Sequence, residues 1–335
     1  MRPRIKYFDI IKFFAVTFVL VCHYSRTLEA YGIQYSWKIL PDELFHVYTG
    51  TVGSMLFFII SGCVLAYNYK TVDDMKRYYW KRFIGIYPMF WLSFFIFFCL
   101  SFYVNRGYDK NVPVYRIIYS ILGIDGVVTA FVPTFFTVGE WFLGVIIVLY
   151  IIYPWLARAI CRFPGFVVIS SFLAAIICGY TISVYCHIPM ITDFLTGLCL
   201  FVYGIYFTSR ELKVRVGTFS LSSVILFISA LWKISPSFSV VQNIFVGICL
   251  FHVLVFLFER IECRVIDWLG KMISRYCYAI FLVHHRVMIL MTRRFSHEVF
   301  GRIDTGLLFI IEMVATLFLS RVVYDVNQKI IKRKG

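Results

Sequence analysis

Ten apolar runs of about twenty residues divide the chain, at 7–27, 47–67, 84–104, 139–157, 165–185, 190–207, 217–233, 240–258, 276–293 and 304–324. A helix needs about that many residues to cross the hydrocarbon core of a bilayer. Inside lipid each backbone N–H and C=O must be satisfied by the spanning structure itself, which leaves helices or a closed barrel. Barrel strands alternate apolar and polar side chains, whereas these runs are continuous. The expected fold class is all-α: a polytopic membrane protein with about ten transmembrane helices. At 61% hydrophobic residues and a mean hydropathy of +0.81, the chain holds more apolar surface than a soluble domain of this length can hide.

The longest stretch outside these runs is 105–138. Its part 115–131 is apolar but interrupted by Gly123, Asp125 and Gly126. It reads as a re-entrant or interfacial piece rather than an eleventh span. With no internal repeat and no disordered linker, residues 1–335 are expected to form a single transmembrane domain.

The formal net charge is +15. In a soluble protein that excess points to nucleic acid. In a membrane protein it has a nearer explanation, because cytoplasmic loops are enriched in Lys and Arg. With the N-terminus inside, 22 of the 33 basic residues fall in cytoplasmic segments, and Lys12 and Arg286 lie within spans. Both termini are then cytoplasmic, as an even span count requires, and no nucleic-acid partner is implied. The opening MRPRIK is similar to the charged start of a signal peptide. The run behind it, however, carries Asp9 and Lys12 and no A-x-A cleavage pattern, so a retained first helix is expected. The ten cysteines include no CxxC and no Cys/His set at metal-ligand spacing; no metal is expected.

The first run, DIIKFFAVTFVLVCHY at 9–24, holds Asp9, Lys12 and His23. A charged group deep in a span costs roughly 2.5–3.5 kcal/mol on the insertion scale. Lys12 and His23 are eleven residues apart, about three turns, so they share a face and lie roughly 16 Å apart along the axis. Asp9 is one turn from Lys12 on the same side. Such a stripe must face the protein interior or a watery cavity. A structural reading has Asp9 and Lys12 pairing and snorkelling at the inner interface. His23 lies too deep for that, and is either a helix–helix hydrogen bond or a reactive group.

Four further stretches stand out. FFIISGCVLAYNY at 57–69 places Ser61 and Gly62 where helices can approach closely, with Tyr67 near the interface. KRYYWKRFIGIYP at 76–88 sets Lys76, Arg77, Lys81 and Arg82 among aromatics, a pattern an ordinary positive-inside loop also explains. Glu140 opens the fourth run, at its outer end. SRYCYAIFLVHHRVM at 274–288 carries His284, His285 and Arg286; adjacent residues on a helix point about 100° apart, so at most one of the two histidines is expected to face a site. Arg286 and Glu312 fall at similar depths and read as an ion pair. Asp193 reads as a helix cap, and His252 and Trp141 as packing.

Taken in order, these stretches resemble the acyltransferase-3 family of integral membrane O-acyltransferases. Arg4, Phe8, Asp9, Lys12 and His23 resemble its first-helix pattern of Arg, aromatic, Asp, base and His. FFIISG is similar to its FF-x-x-SG. WKRFIGIYPMFW is similar to its basic-x-x-basic-[IL]-x-P stretch through Arg82, Ile86 and Pro88, with Gly85 where the second basic residue stands.

The resemblance implies transfer of an acyl group, usually acetyl, from cytoplasmic acyl-CoA to a hydroxyl beyond the membrane, on a surface polysaccharide or lipid-linked sugar. A bacterial inner membrane is implied with it. In that scheme Lys76, Arg77, Lys81 and Arg82 meet the CoA phosphates, while Ser61, Gly62 and Tyr67 flank the pantetheine arm. Lys12 binds phosphate or polarises the thioester, and Asp9 belongs to the same motif. His23 acts as general base or as acyl carrier, with Glu140 as the carboxylate that orients its ring. Acetyl-CoA is then a donor substrate, with no metal. The rival is a transporter or flippase for a glycan or lipid precursor, which needs a similar polar path.

Overall fold

A computed structural model describes residues 3–104, 106, 111–129, 131–135, 138, 140–182, 185 and 189–332, without the side chains of 140, 189–192 and 332. The chain is almost entirely helical. Ten long helices coincide with the ten apolar runs: α1 (Lys6–Ala30), α2 (Thr49–Asn68), α3 (Met75–Val104), α6 (Glu140–Arg162), α7 (Pro164–Thr181), α8 (Pro189–Ser209), α9 (Val216–Leu231), α10 (Ser239–Phe258), α11 (Arg264–Thr292) and α12 (Arg302–Lys332). Among the described residues seven are long and apolar enough to cross a membrane on length and composition: α1, α2, α3, α6, α7, α10 and α12. The described apolar part of α8 and all of α9 are shorter. The whole of α11 is long, but Arg264, Asp267, Lys271, Arg275 and Arg286 dilute its hydropathy. The chain is an all-α, polytopic, integral membrane protein.

Stretch 105–138 is not a span where it is described. It forms a 3-10 turn at Val114–Arg116, then two short helices, α4 (Ile117–Leu122) and α5 (Asp125–Val128). Gly123 joins them at φ +73°, a conformation that residues with a Cβ rarely adopt. The Tyr87 hydroxyl and the Trp91 indole of α3 donate to the carbonyls of Leu122 and Ile121, so α3 holds the end of α4. Two-residue strands form two pairs: β1 (Gln34–Tyr35) lies parallel to β4 (Val299–Phe300), and β2 (Glu43–Leu44) antiparallel to β3 (Val47–Tyr48).

The chain forms two compact units. The first comprises Met1–Val19, Pro41–Met75 and Val148–Ser274; the second comprises Leu20–Leu40, Lys76–Ile147 and Arg275–Gly335. Helices α1, α6 and α11 each contribute to both.

In the first unit, α2 packs along α8 through glycine. A Cβ on Gly62 would stand 2.2 Å from the Phe201 carbonyl oxygen, and one on Gly204 would stand 2.1 Å from that of Ile59. With little hydrophobic drive between helices in lipid, such small-residue contacts let backbones approach and gain dispersion. Fully buried Phe58, Phe201, Phe251 and Tyr153 fill the surrounding core, and the Tyr153 hydroxyl donates to the Tyr69 carbonyl. In the second unit, Phe90, Phe94 and Phe97 bury one face of α3, and Ile280, Leu282 and Val283 bury part of α11. The Tyr278 hydroxyl of α11 donates to the Ile86 carbonyl, 3.1 Å away in α3.

Candidate active site

The charges at the start of α1 are held within the first unit. Asp9, 7% exposed, pairs with Arg4 rather than with Lys12. Lys6 pairs with Asp267 at 2.9 Å, and Lys12 Nζ donates to Ser274 Oγ at 3.3 Å. Arg4 also reaches the Lys271 carbonyl, at 3.5 Å. Positions 267, 271 and 274 recur at i, i+4 and i+7, one face of α11. Gly270 lets that face come close, since a Cβ there would stand 3.3 Å from Asp9 backbone. The expected Asp9–Lys12 pair does not form, because Arg4, five residues before Asp9, brings its guanidinium Nε to the carboxylate instead. Lys12 is left with a neutral hydroxyl as its hydrogen-bond partner and no ion pair among the described residues. A half-buried ammonium so placed can receive an anion or polarise a carbonyl.

The second unit holds the outer part of α1 and with it His23. Its half-buried ring lies 5.1 Å from the His284 ring and 5.0 Å from the His285 ring, centroid to centroid. The expectation that only one of the two would face His23 is corrected. Two side chains about 100° apart on α11 can both reach a group that sits between their directions. His284 is fully buried. Its Nδ1 lies 3.0 Å from the Ile280 carbonyl and 2.9 Å from that of Phe281, which places a hydrogen on Nδ1. Phe142 packs edge-on against Phe281, 5.3 Å away. Among the described residues no group of three His, Cys, Asp or Glu side chains is placed to hold a metal ion. Imidazoles so placed can instead accept and pass protons, and one can carry an acyl group. The Glu140 side chain, expected to orient His23, lies outside the described residues.

The basic cluster occupies the first turns of α3. Lys76, Arg77 and Lys81 are exposed, and half-buried Arg82 places its guanidinium 5.9 Å from the Tyr78 ring centroid. Gly85, standing where the motif has a base, faces open space: a Cβ there would meet nothing within 4 Å. Lys81 and Gly85 line a cavity of about 340 Å³ with Arg275 of α11 and Asn327 of α12. Nothing in the motifs marked Arg275 or Asn327, and Arg275 reads in sequence only as one more loop cation.

The room expected beside Ser61 and Gly62 is taken by α8, whose backbone occupies the place of the missing side chain. Tyr67 donates its hydroxyl to the Pro3 carbonyl and lines another cavity, of about 320 Å³, with Lys70, Lys213, Glu211 and Glu259. Glu312 does not pair with Arg286; its Oε1 accepts the Thr292 hydroxyl at 2.7 Å. Asp193 is the fifth residue of α8 and not its cap. His252 is bonded on both sides, to Ser222 at 3.0 Å and to Tyr203.

The family model described as an acyltransferase domain, acyltransferase-3, matches residues 5–325, nearly the whole chain. No curated protein and no solved structure matches it.

Proposed function

The chain belongs to the acyltransferase-3 family and is an acyltransferase, and we propose that it carries acetyl from cytoplasmic acetyl-CoA to a hydroxyl on the opposite face of the membrane. The acceptor in this reading is a surface polysaccharide or a lipid-linked sugar, and the membrane is a bacterial inner membrane with both termini cytoplasmic. One acyltransferase domain spans residues 1–335.

The observation that carries the reading is the pair of imidazoles at His23. A lone histidine in a span serves structure as readily as chemistry. One backed by two more rings has somewhere to send a proton. As general base, His23 takes the acceptor hydroxyl proton while the oxygen attacks the thioester carbonyl. The tetrahedral intermediate then expels CoA thiolate, which the imidazolium protonates. As carrier, a His23 nitrogen attacks the thioester, thiolate leaves, and the acceptor oxygen later displaces the acyl-imidazole. In either route His284 and His285 stand beside the working ring to relay its proton, and Glu140 orients His23.

Lys12 meets the donor where α1 begins, and Asp9 holds that end of the helix through Arg4. Lys76, Arg77, Lys81 and Arg82 bind CoA phosphates, Arg as a fork and Lys as a point charge. Since α8 fills the space at Gly62, Ser61 and Tyr67 are the remaining members of their stretch that can flank the donor. Tyr115 and Phe131, 68% and 65% exposed, offer ring faces to a sugar.

Purified protein in nanodiscs with radiolabelled acetyl-CoA and no acceptor tests this. Thioester hydrolysis is expected in wild type and at least about a hundredfold less of it in His23→Ala. Label retained on the wild-type protein would select the carrier route. Hydrolysis equal in the two proteins would remove His23 from the chemistry. Donor binding without hydrolysis or transfer to any glycan would favour the transporter reading.

A further inference from the structure

The cavity at Gly85 has the features of a built binding site. All its walls belong to the second unit. Lys81 and Arg275 bring two positive charges, and no carboxylate is among the residues lining it. Arg275 is exposed and has no ion-pair partner among the described residues. Asn327 is 2% exposed, yet its Oδ1 has no hydrogen-bond partner among the described residues. A phosphate only accepts, so it is the amide NH₂, and not the oxygen, that can bond one. A half-turn of the amide presents either its oxygen or its NH₂ to the cavity. Gln328 and Tyr324 add polar groups along α12, and apolar side chains complete the wall.

The position of Gly85 gives the arrangement its meaning. The base that the motif has there is missing, and its space is empty. A guanidinium from another helix, Arg275, borders the same cavity. We propose that this cavity is a phosphate-ester site in which Arg275 takes the part of the absent base at position 85. Arg275 grips the phosphate as a fork, Lys81 adds a point charge, and Asn327 donates from the buried wall. The apolar wall selects an ester over free phosphate. Two sources carry that chemistry, the nucleotide end of CoA and the headgroup of an anionic phospholipid. For the first source alone the inference rests on the donor reading above.

The test uses full-length, delipidated protein in detergent and two probes. CoA binding is measured by calorimetry, with 3′-dephospho-CoA as its control, and dioleoylphosphatidic acid binding by native mass spectrometry. Variants are Arg275→Ala, Asn327→Leu, and Gly85→Arg in the Arg275→Ala background, each checked for monodisperse elution. At least one probe is expected to bind wild type and to weaken about tenfold or more in Arg275→Ala. Asn327→Leu should weaken it less, and Gly85→Arg should restore much of the loss. If phosphatidic acid behaves this way and CoA does not bind, the site stands with a lipid occupant and the donor reading fails. If CoA binds wild type but Arg275→Ala and Asn327→Leu leave both probes unchanged, the site is overturned while the donor reading survives. Wild type that binds neither probe overturns both.

Discussion

His252 of the first unit stands between Ser222 and Tyr203, with one partner at each ring nitrogen. His23 of the second faces two other imidazoles. The residue type is the same and both lie in membrane helices, yet one ring is spent on joining α8, α9 and α10, and the other stands against two further imidazoles of α11. Glycine divides the same way. In the first unit, Gly62 is where two backbones touch; in the second, Gly85 borders a cavity. Identity and hydropathy do not separate these pairs. The neighbours do.

Substitutions should expose the contrast, beginning with the largest effect. Gly62→Leu forces a side chain into the Phe201 backbone, which cannot move aside as a flexible chain end would. A loss of about 3 kcal/mol or more is expected, seen as little monodisperse protein after extraction. Normal yield and melting temperature would mean that α2 and α8 are not joined through this contact.

His252→Ala leaves the Ser222 and Tyr203 hydroxyls without their shared partner, a loss of about 1–3 kcal/mol. Its melting temperature should fall while turnover per folded molecule stays near wild type, the reverse of His23→Ala. A stable His252→Ala protein without activity would break the division between structural and reactive histidine.

Asp125 carries the comparison to a carboxyl of the second unit that lies outside the spans. Burial raises its pKa above the ordinary 3.8, with the Ser120 and Thr134 hydroxyls pulling the other way. A raised carboxyl favours the protonated fold. Its contribution is fully present below the unfolded pKa and is lost as pH rises through the folded value. Asp125→Asn should therefore melt at or above the wild-type temperature at pH 7, and should lose part of the stability gain that wild type shows on acidification. A lower melting temperature at pH 7 would show that the carboxylate is held by a favourable partner.

Gly85→Ala should leave the fold intact and raise its stability slightly. Its Cβ enters open space, and exchanging glycine for alanine within a helix stabilises by up to about 1 kcal/mol. A marked loss of folded protein would show that the cavity is closed at that point.

Ten helices were legible in the sequence because a run of about twenty apolar residues is a local property. Each run must form its own backbone hydrogen bonds in lipid, whatever its neighbours do. The absence of a span over the described part of 105–138 was legible for the converse reason, since Gly123, Asp125 and Gly126 interrupt an apolar run that would otherwise cross; the two short helices there were not. The motif order along the chain likewise sufficed for the family. It also marked His23 and the α3 cations as residues to examine.

The partners were not legible. That Arg4 and not Lys12 meets Asp9, that both His284 and His285 reach His23, and that Thr292 and not Arg286 meets Glu312 are each settled within a few ångströms. Helical periodicity sets the direction of a side chain to tens of degrees and leaves open which helix lies opposite. The same holds for Gly62, Gly85, Arg275 and Asn327. Whether a missing side chain becomes a contact or a cavity, and whether a loop cation becomes a ligand, depends on what residues distant in sequence bring to that spot. Tertiary packing decides that, because close-range dispersion, hydrogen bonding and charge pairing are set by distance in space and not by spacing along the chain.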